Sequence, residues 1–124
     1  MTRHPWRMLL LAICAGGWTA AWIITHLPPR DIPHMEVGDK VLHVTGYFLI
    51  ALAFGALLAA YGVRSLRRAI IMITVMALYG VFDELTQPYF GRSADVMDWL
   101  ADLHGTVLAV LVLQLLTTVI FKRR

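Results

Sequence analysis

Apolar residues fall into four long runs along the chain, separated by short polar stretches. The runs cover about residues 8–27, 41–61, 69–87 and 98–121. Each is close to the roughly 20 residues that an α-helix needs to cross a bilayer. No internal repeat or low-complexity tract interrupts them. The pattern predicts an all-α fold, a polytopic membrane protein whose residues 1–124 form one compact bundle of four transmembrane helices.

The first run could instead belong to a signal peptide, because Arg3 and Arg7 precede it. The run is too long for the apolar region of a signal, and cleavage at the small residues Ala15–Gly17 would split it. A lipoprotein signal would place a small residue before Cys14, where Ile13 stands. We therefore predict an uncleaved first helix.

Composition agrees with a membrane protein, since 59% of the residues are hydrophobic and 15% are charged. The net charge of +3 could suggest a nucleic-acid partner. The basic residues instead gather at the ends of the apolar runs, so we predict no nucleic acid. Eight of them lie in the two termini and the 62–68 turn, and three in the other two loops. The positive-inside rule then places both termini in the cytoplasm. We expect a multi-pass protein of the inner or plasma membrane.

Between the last two runs, the stretch from Gly80 to Gly105 holds five of the eight carboxylates of the chain. An ionisable group near the centre of a membrane helix costs roughly 2.5–3.5 kcal/mol, so such groups usually mark a functional site. The topology brings this stretch to the same membrane level as the start of the second helix. The predicted binding site combines ten residues from three helix ends: Asp39, Lys40, His43, Asp83, Glu84, Gln87, Arg92, Asp95, Asp98 and Asp102.

Some of these carboxylates have simple structural explanations. Asp39 and Asp95 could each cap the N-terminus of a helix. Asp98 would lie in the first turn of the last helix, where the helix dipole favours negative charge. Trp99 and Tyr89 suit the aromatic belt at a membrane interface.

Two carboxylates need partners because they lie deeper. Asp102 is roughly 10 Å along the last helix at 1.5 Å per residue, and Asp83 is about one turn before the end of its helix. The available cations are Arg92, Lys40 and His43. We predict that Asp83 is linked to Arg92.

Four short motifs carry a resemblance to a known family: Asp39-Lys40-x-x-His43, Asp83-Glu84-x-x-Gln87, Gly91-Arg92-Ser93-x-Asp95-x-x-Asp98, and Gly105. In this order and spacing they resemble the VanZ-like family over about half of the chain. The resemblance implies a bacterial integral membrane protein with about four or more helices. The founding member of that family is associated with low-level resistance to the glycopeptide teicoplanin. The family commonly has Asn where this chain has Asp102.

Three functions remain open. In the leading one, an outward-facing cluster binds or modifies a cell-envelope component, such as a lipid-linked precursor or a glycolipid head group. Lys40 and Arg92 would then hold its phosphate or carboxylate. The second function is an intramembrane lipid hydrolase or transferase, with His43 or Glu84 as general base. The third is a structural or assembly subunit whose ion pairs only fix the packing.

A metal-dependent enzyme would need ligands such as Asp39, His43, Asp83 and Asp102 around one ion. Lys40 and Arg92 lie at the same level and would repel a divalent cation. No local metal motif and no activated Ser or Cys nucleophile is evident. We therefore predict that the protein holds no metal and no cofactor and that its partners are membrane lipids; the oligomeric state stays open.

Overall fold

The computed structural model describes residues 5–28 and 38–122, with side chains as far as residue 119. The predicted loop around Arg30 and the basic terminal residues Arg3, Arg123 and Arg124 lie outside the described residues. Four helices follow one another along the chain: α1 Pro5–His26, α2 Asp39–Ala60, α3 Ser65–Thr86 and α4 Val96–Lys122. A short 3-10 turn, Gln87–Phe90, follows α3, and the described part of the chain contains no β-strand. All four helices are long and apolar enough to cross a membrane, which confirms the predicted all-α fold with four transmembrane helices.

Each helix begins two to four residues before the apolar run that predicted it. The difference is largest at α3, where Arg67 and Arg68, expected in a turn, belong to the first helical turn. Long arginine side chains can keep their charge near the membrane surface while their stems lie along the helix. The real turn is therefore shorter, and Gly62 at its start adopts a φ of 78°, which favours glycine.

The pairing of α2 with α4 is the most extensive helix contact of the bundle. The two backbones lie against each other at Gly105 of α4. A Cβ atom built on Gly105 would lie 2.2 Å from the carbonyl oxygen of Val44 and 2.9 Å from the amide nitrogen of Phe48. Glycine at this position therefore lets the two backbones touch, as is common between membrane helices.

The apolar core lies between α2, α3 and α4. Its buried members are Tyr47, Ile50, Ala51, Met72, Met76 and Ala109. α1 packs mainly on α2 and only lightly on α3. Trp18 of α1 contributes edge-on ring contacts, 5.3 Å to Phe54 and 5.6 Å to Tyr79 between centroids. Many leucine, isoleucine, valine and phenylalanine side chains remain exposed on the outer surface, as expected for helices that face lipid.

One end of the bundle carries arginines. Arg7 joins α1 to the end of α2 there, because its guanidinium lies 5.2 Å from the ring centroid of Tyr61 in a cation–π contact. Arg68 is buried there and donates to the Thr117 hydroxyl at 3.1 Å. That this end faces the cytoplasm stays a prediction from the positive-inside rule.

Candidate functional site

The opposite end of the bundle gathers all ten predicted site residues, and we call it the polar end. The C-termini of α1 and α3 meet the N-termini of α2 and α4 there. Three contacts establish this arrangement: the Thr25 hydroxyl donates to Asp83, Lys40 donates to Asp98, and the Asp95 amide donates to Glu84.

In the outer part of the polar end, Lys40 and Arg92 form ion pairs with three carboxylates, those of Asp39, Asp95 and Asp98. We call the outermost four residues the rim: Asp39, Lys40, Arg92 and Asp95. The Lys40 ammonium lies 2.7 Å from Asp95 and also contacts Asp98. The side chains of Lys40 and Asp95 are 49% and 45% exposed. The hydrogen bond from Lys40 holds the pKa of the Asp95 carboxyl below its usual value. Arg92 reaches Asp39 at 3.9 Å, the outer limit of an ion pair.

Of the two expected helix caps, the one at Asp95 is present and the one at Asp39 is not. The Asp95 side chain accepts a hydrogen bond from the Met97 amide at 2.8 Å, and its carbonyl accepts one from the Asp98 amide, so it caps α4 as predicted. Asp39, in contrast, is the first residue inside α2, and Gly38 precedes it without a side-chain cap. Asp39 still lies in the first turn, where the helix dipole favours a carboxylate.

The two aromatic residues expected at the membrane interface lie in different surroundings. Tyr89 is 85% exposed, which is compatible with an interfacial belt. Trp99 is half-buried and donates its indole N–H to the Ala77 carbonyl of α3 at 3.1 Å. It packs over Gly80, where a Cβ atom would lie 2.8 Å from the Trp99 ring. Trp99 therefore joins α4 to α3 and is not a free belt residue.

Beneath the rim, His43 and Asp102 form a buried pair between α2 and α4. The His43 Nδ1 atom lies 2.7 Å from the Asp102 Oδ1 atom. His43 Nε2 faces Asp98 Oδ2 at 3.7 Å. Only 6% of His43 and 1% of Asp102 are exposed. His43 is therefore the partner of Asp102 among the three candidate cations.

The predicted link between Asp83 and Arg92 is wrong. Asp83 accepts a hydrogen bond from the Thr25 hydroxyl at 2.8 Å and lies 3.6 Å from His26 Nδ1. The reason is geometric, because Asp83 is fully buried and faces α1. Arg92 follows the 3-10 turn and Gly91, whose φ of 77° redirects the chain toward Asp39.

Three further residues of the polar end were not predicted from the sequence: Thr25, His26 and Thr86. His26 Nε2 lies 2.7 Å from the Thr86 hydroxyl, and the His26 ring stacks on Trp22 with a centroid distance of 4.4 Å. The cations expected as partners of Asp83 all belong to other helix ends, whereas its partners in the structure come from the end of α1. The available signal was a histidine in the last turn of an apolar run, two residues before a pair of prolines.

A family model described as VanZ/LLP1 matches residues 8–117. The chain belongs to the VanZ/LLP1 family. The match includes most of α1 as well as the motifs between Asp39 and Gly105, so it extends beyond the resemblance found from the motifs alone. Searches of curated proteins and of solved structures find no significant match.

In this VanZ/LLP1 family protein, several buried polar atoms of the polar end have no hydrogen-bond partner. They are Glu84 Oε1, Gln87 Oε1, Asp102 Oδ2 and the hydroxyls of Tyr47 and Tyr79. The Tyr47 phenol lies near the Asp102 carboxylate without hydrogen-bond geometry. A buried polar group that stays unpaired costs about 1–3 kcal/mol. These five atoms are therefore positions where a polar ligand or water would supply missing hydrogen bonds.

Negative charge is in excess at the polar end. Among the described residues it contains six carboxylates and two Lys or Arg side chains. The excess is four negative charges, or two if His26 and His43 are both protonated. A buried excess charge is costly unless a cation or protons balance it.

Two groups of side chains at the polar end of this VanZ/LLP1 family bundle have the composition of a metal site. One contains Asp39, His43 and Asp98, and the other contains His43, Glu84 and Asp102. In each group the three potential ligand atoms lie within 4.8 Å of one another. The two groups share His43 but differ in burial, since Asp39 is exposed and Glu84 and Asp102 are buried.

Proposed function

We propose that this VanZ/LLP1 family protein binds the polar head group of a cell-envelope lipid, either a lipid-linked precursor or a glycolipid, at the outward-facing polar end of its bundle. The observation that carries this proposal is an apolar groove on the lateral surface whose lining reaches Ile24, the neighbour of Thr25 at the polar end. A lipid needs both surfaces, one for its head group and one for its acyl chain.

The rim can take an anionic group at small cost. Exposed ion pairs contribute only about 0–1 kcal/mol to stability, and Lys40 and Asp95 are each about half exposed. Lys40 can therefore exchange a protein carboxylate for a phosphate or carboxylate of the ligand. Arg92 holds Asp39 only at 3.9 Å, and a bidentate contact with a phosphate would be a stronger interaction.

Below the rim, the unpaired oxygens favour a ligand that donates hydrogen bonds. Glu84 Oε1 and Gln87 Oε1 are buried acceptors without a donor. Sugar hydroxyls and amines supply such donors. A head group that combines a phosphate with hydroxyls would thus contact both the rim and the atoms beneath it.

The groove lies between α1 and α2 and has a volume of about 280 Å³. Its lining is apolar and includes Ile13, Gly17, Ile24, Gly46 and Leu49. Ile24 precedes Thr25, the partner of Asp83, so one end of the groove reaches the polar end. Ile13, Ile24 and Leu49 are about half exposed, which leaves the groove accessible from the side. We assign this groove to an acyl chain of the bound lipid.

The test is mass spectrometry of lipids extracted from the protein after purification in a mild detergent. We expect the wild type to retain a lipid with a phosphate- or sugar-bearing head group, enriched over its share of the membrane. The double variant Lys40→Gln/Arg92→Gln should lose most of it. The matched control Arg64→Gln/Arg67→Gln removes two exposed arginines from the opposite end and should retain it.

Two results would contradict lipid binding at the polar end. One is a lipid content that matches the bulk membrane in the wild type. The other is equal loss of the lipid in the rim variant and in the control. Either result would favour a purely structural role for the ion pairs.

A second candidate function is hydrolysis or group transfer on the same lipid, and the hydrogen-bonded pair of His43 and Asp102 favours it. A carboxylate that orients an imidazole is the usual arrangement of a histidine general base. Incubation of the purified protein with the lipid it retains should then release a product, and His43→Gln should abolish the release. Recovery of unchanged lipid would exclude this reaction under the conditions used.

A further inference from the structure

We infer that His43, Glu84 and Asp102 form a binding site for a first-row divalent metal ion such as Zn²⁺ or Mn²⁺. The inference goes beyond head-group binding and does not depend on it. It reverses the prediction of a metal-free protein, for reasons that only the three-dimensional arrangement supplies.

The three side chains come from three different helices and converge below the rim. His43 belongs to α2, Glu84 to α3 and Asp102 to α4, and all are at least nine-tenths buried. Their potential ligand atoms lie within 4.8 Å of one another. Atoms bound to a common zinc ion at about 2.1 Å lie at most about 4.2 Å apart. Small side-chain rotations, with no movement of the helices, therefore bring the ligands into range.

The carboxylates present free oxygen atoms at this point. Glu84 Oε2 is fixed by the Asp95 amide at 2.7 Å, and its other oxygen, Oε1, has no partner. Asp102 Oδ1 contacts His43, and its other oxygen, Oδ2, is likewise buried and unpaired. In each carboxylate, one oxygen is thus fixed by a contact within the protein and the other is left for a metal ion. Metal-binding carboxylates are commonly oriented in this way by a hydrogen bond to their second oxygen.

Lys40 and Arg92, which were expected to repel a divalent cation, form ion pairs with other carboxylates. Lys40 contacts Asp95 and Asp98, and Arg92 contacts Asp39. Neither forms an ion pair with Glu84 or Asp102 among the contacts of the described residues. Lys40 and Arg92 therefore do not occupy the carboxylate oxygens of Glu84 and Asp102, and these oxygens stay available to a divalent cation.

The alternative group of Asp39, His43 and Asp98 fits a metal less well. Asp39 is exposed and already contacts Arg92, and Lys40 contacts Asp98. Two cations therefore compete with a metal for two of its three ligands. In addition, none of these three side chains has a buried atom without a partner, whereas two of the interior three do.

One imidazole and two carboxylates are a mixed nitrogen and oxygen ligand set, which suits zinc and manganese. Three protein ligands leave at least one coordination position open. That position would take a water molecule or an oxygen atom of a head group. Because imidazole and carboxylate ligands must be deprotonated to bind the ion, its binding should release the protons that they carry.

The test measures metal binding to protein purified with a chelator, transferred to chelator-free buffer and kept in detergent without added lipid. Isothermal titration with Zn²⁺ and with Mn²⁺ should show about one equivalent bound for at least one of the two ions. Glu84→Gln and Asp102→Asn should each weaken binding at least about tenfold. The matched control Asp39→Asn makes the same chemical change at the rim and should keep wild-type affinity.

Thermal unfolding of the same samples separates loss of a ligand from loss of the fold. A bound ion stabilises only the folded state, so metal should raise the melting temperature of the wild type and not of Glu84→Gln. Without metal, Glu84→Gln should be about as stable as the wild type, because the amide oxygen of glutamine can still accept the hydrogen bond from the Asp95 amide. Absence of binding to the wild type, or binding that Asp39→Asn abolishes and Glu84→Gln preserves, would overturn the inference.

Discussion

Replacement of Gly105 by alanine tests the close contact between α2 and α4. The added Cβ atom would lie 2.2 Å from the Val44 carbonyl oxygen, whereas ordinary contacts begin at 3.4 Å. The neighbour is backbone, so it cannot rotate away, and the two helices must separate by about 1 Å. Overpacking of this kind typically costs 1–3 kcal/mol. Since alanine favours a helix by about 0.5–1 kcal/mol over glycine, we expect a net loss of roughly 1–2 kcal/mol.

Thermal unfolding in detergent measures this loss. For a chain of this size, 1 kcal/mol corresponds to roughly 4 °C in melting temperature, so Gly105→Ala should melt several degrees below the wild type. The control is Gly16→Ala in α1, where an added Cβ atom meets nothing within 4 Å. Gly16→Ala should be neutral or slightly stabilising, since it gains helix propensity without a clash.

The same substitution should affect the polar end. Val44 adjoins His43, and Gly105 follows Asp102 by less than one turn, so separation of the backbones also lengthens the contact between His43 and Asp102, now 2.7 Å. Lipid retention or metal binding should therefore fall with stability. A Gly105→Ala variant that is as stable as the wild type would refute the close helix contact.

Two further predictions concern the partners of Asp83 and the orientation of the bundle. In double-mutant cycles, Asp83→Asn should be coupled to Thr25→Val by at least about 0.5 kcal/mol and additive with Arg92→Gln; the reverse pattern would restore the ion pair expected from the sequence. In a background without the native cysteine, a cysteine at Ser93 should react with an impermeant reagent outside the cell and a cysteine at Ser65 should not. Labelling of the second cysteine alone would place the polar end in the cytoplasm.

The four helices were predictable because each apolar run had to satisfy its backbone hydrogen bonds inside the membrane, and only a helix does so within one segment. Their starts were less predictable, since arginine and aspartate side chains can extend from a helix into the membrane surface. At Ser65–Arg68 the polarity of the sequence favoured a turn, whereas in the structure these residues form the first turn of α3.

The convergence of Asp39, Asp83, Asp98 and Asp102 on one end followed from the topology alone. The choice of partners did not, because it depends on the direction in which each side chain leaves its helix. Asp83 faces α1, so a neutral threonine and a histidine meet it in place of an arginine. Sequence spacing within one helix cannot give such directions between helices.

The attachment of α1 follows from the hydrogen bond between Thr25 and Asp83. In a bilayer, apolar contact with a neighbouring helix is little better than contact with lipid tails, and α1 has few buried residues. Departure of α1 would expose the Asp83 carboxylate, which is fully buried, to hydrocarbon. The helix with the fewest buried residues is therefore held at both ends by polar side chains, through Thr25 in its last turn and through the contact of Arg7 with the Tyr61 ring near its start.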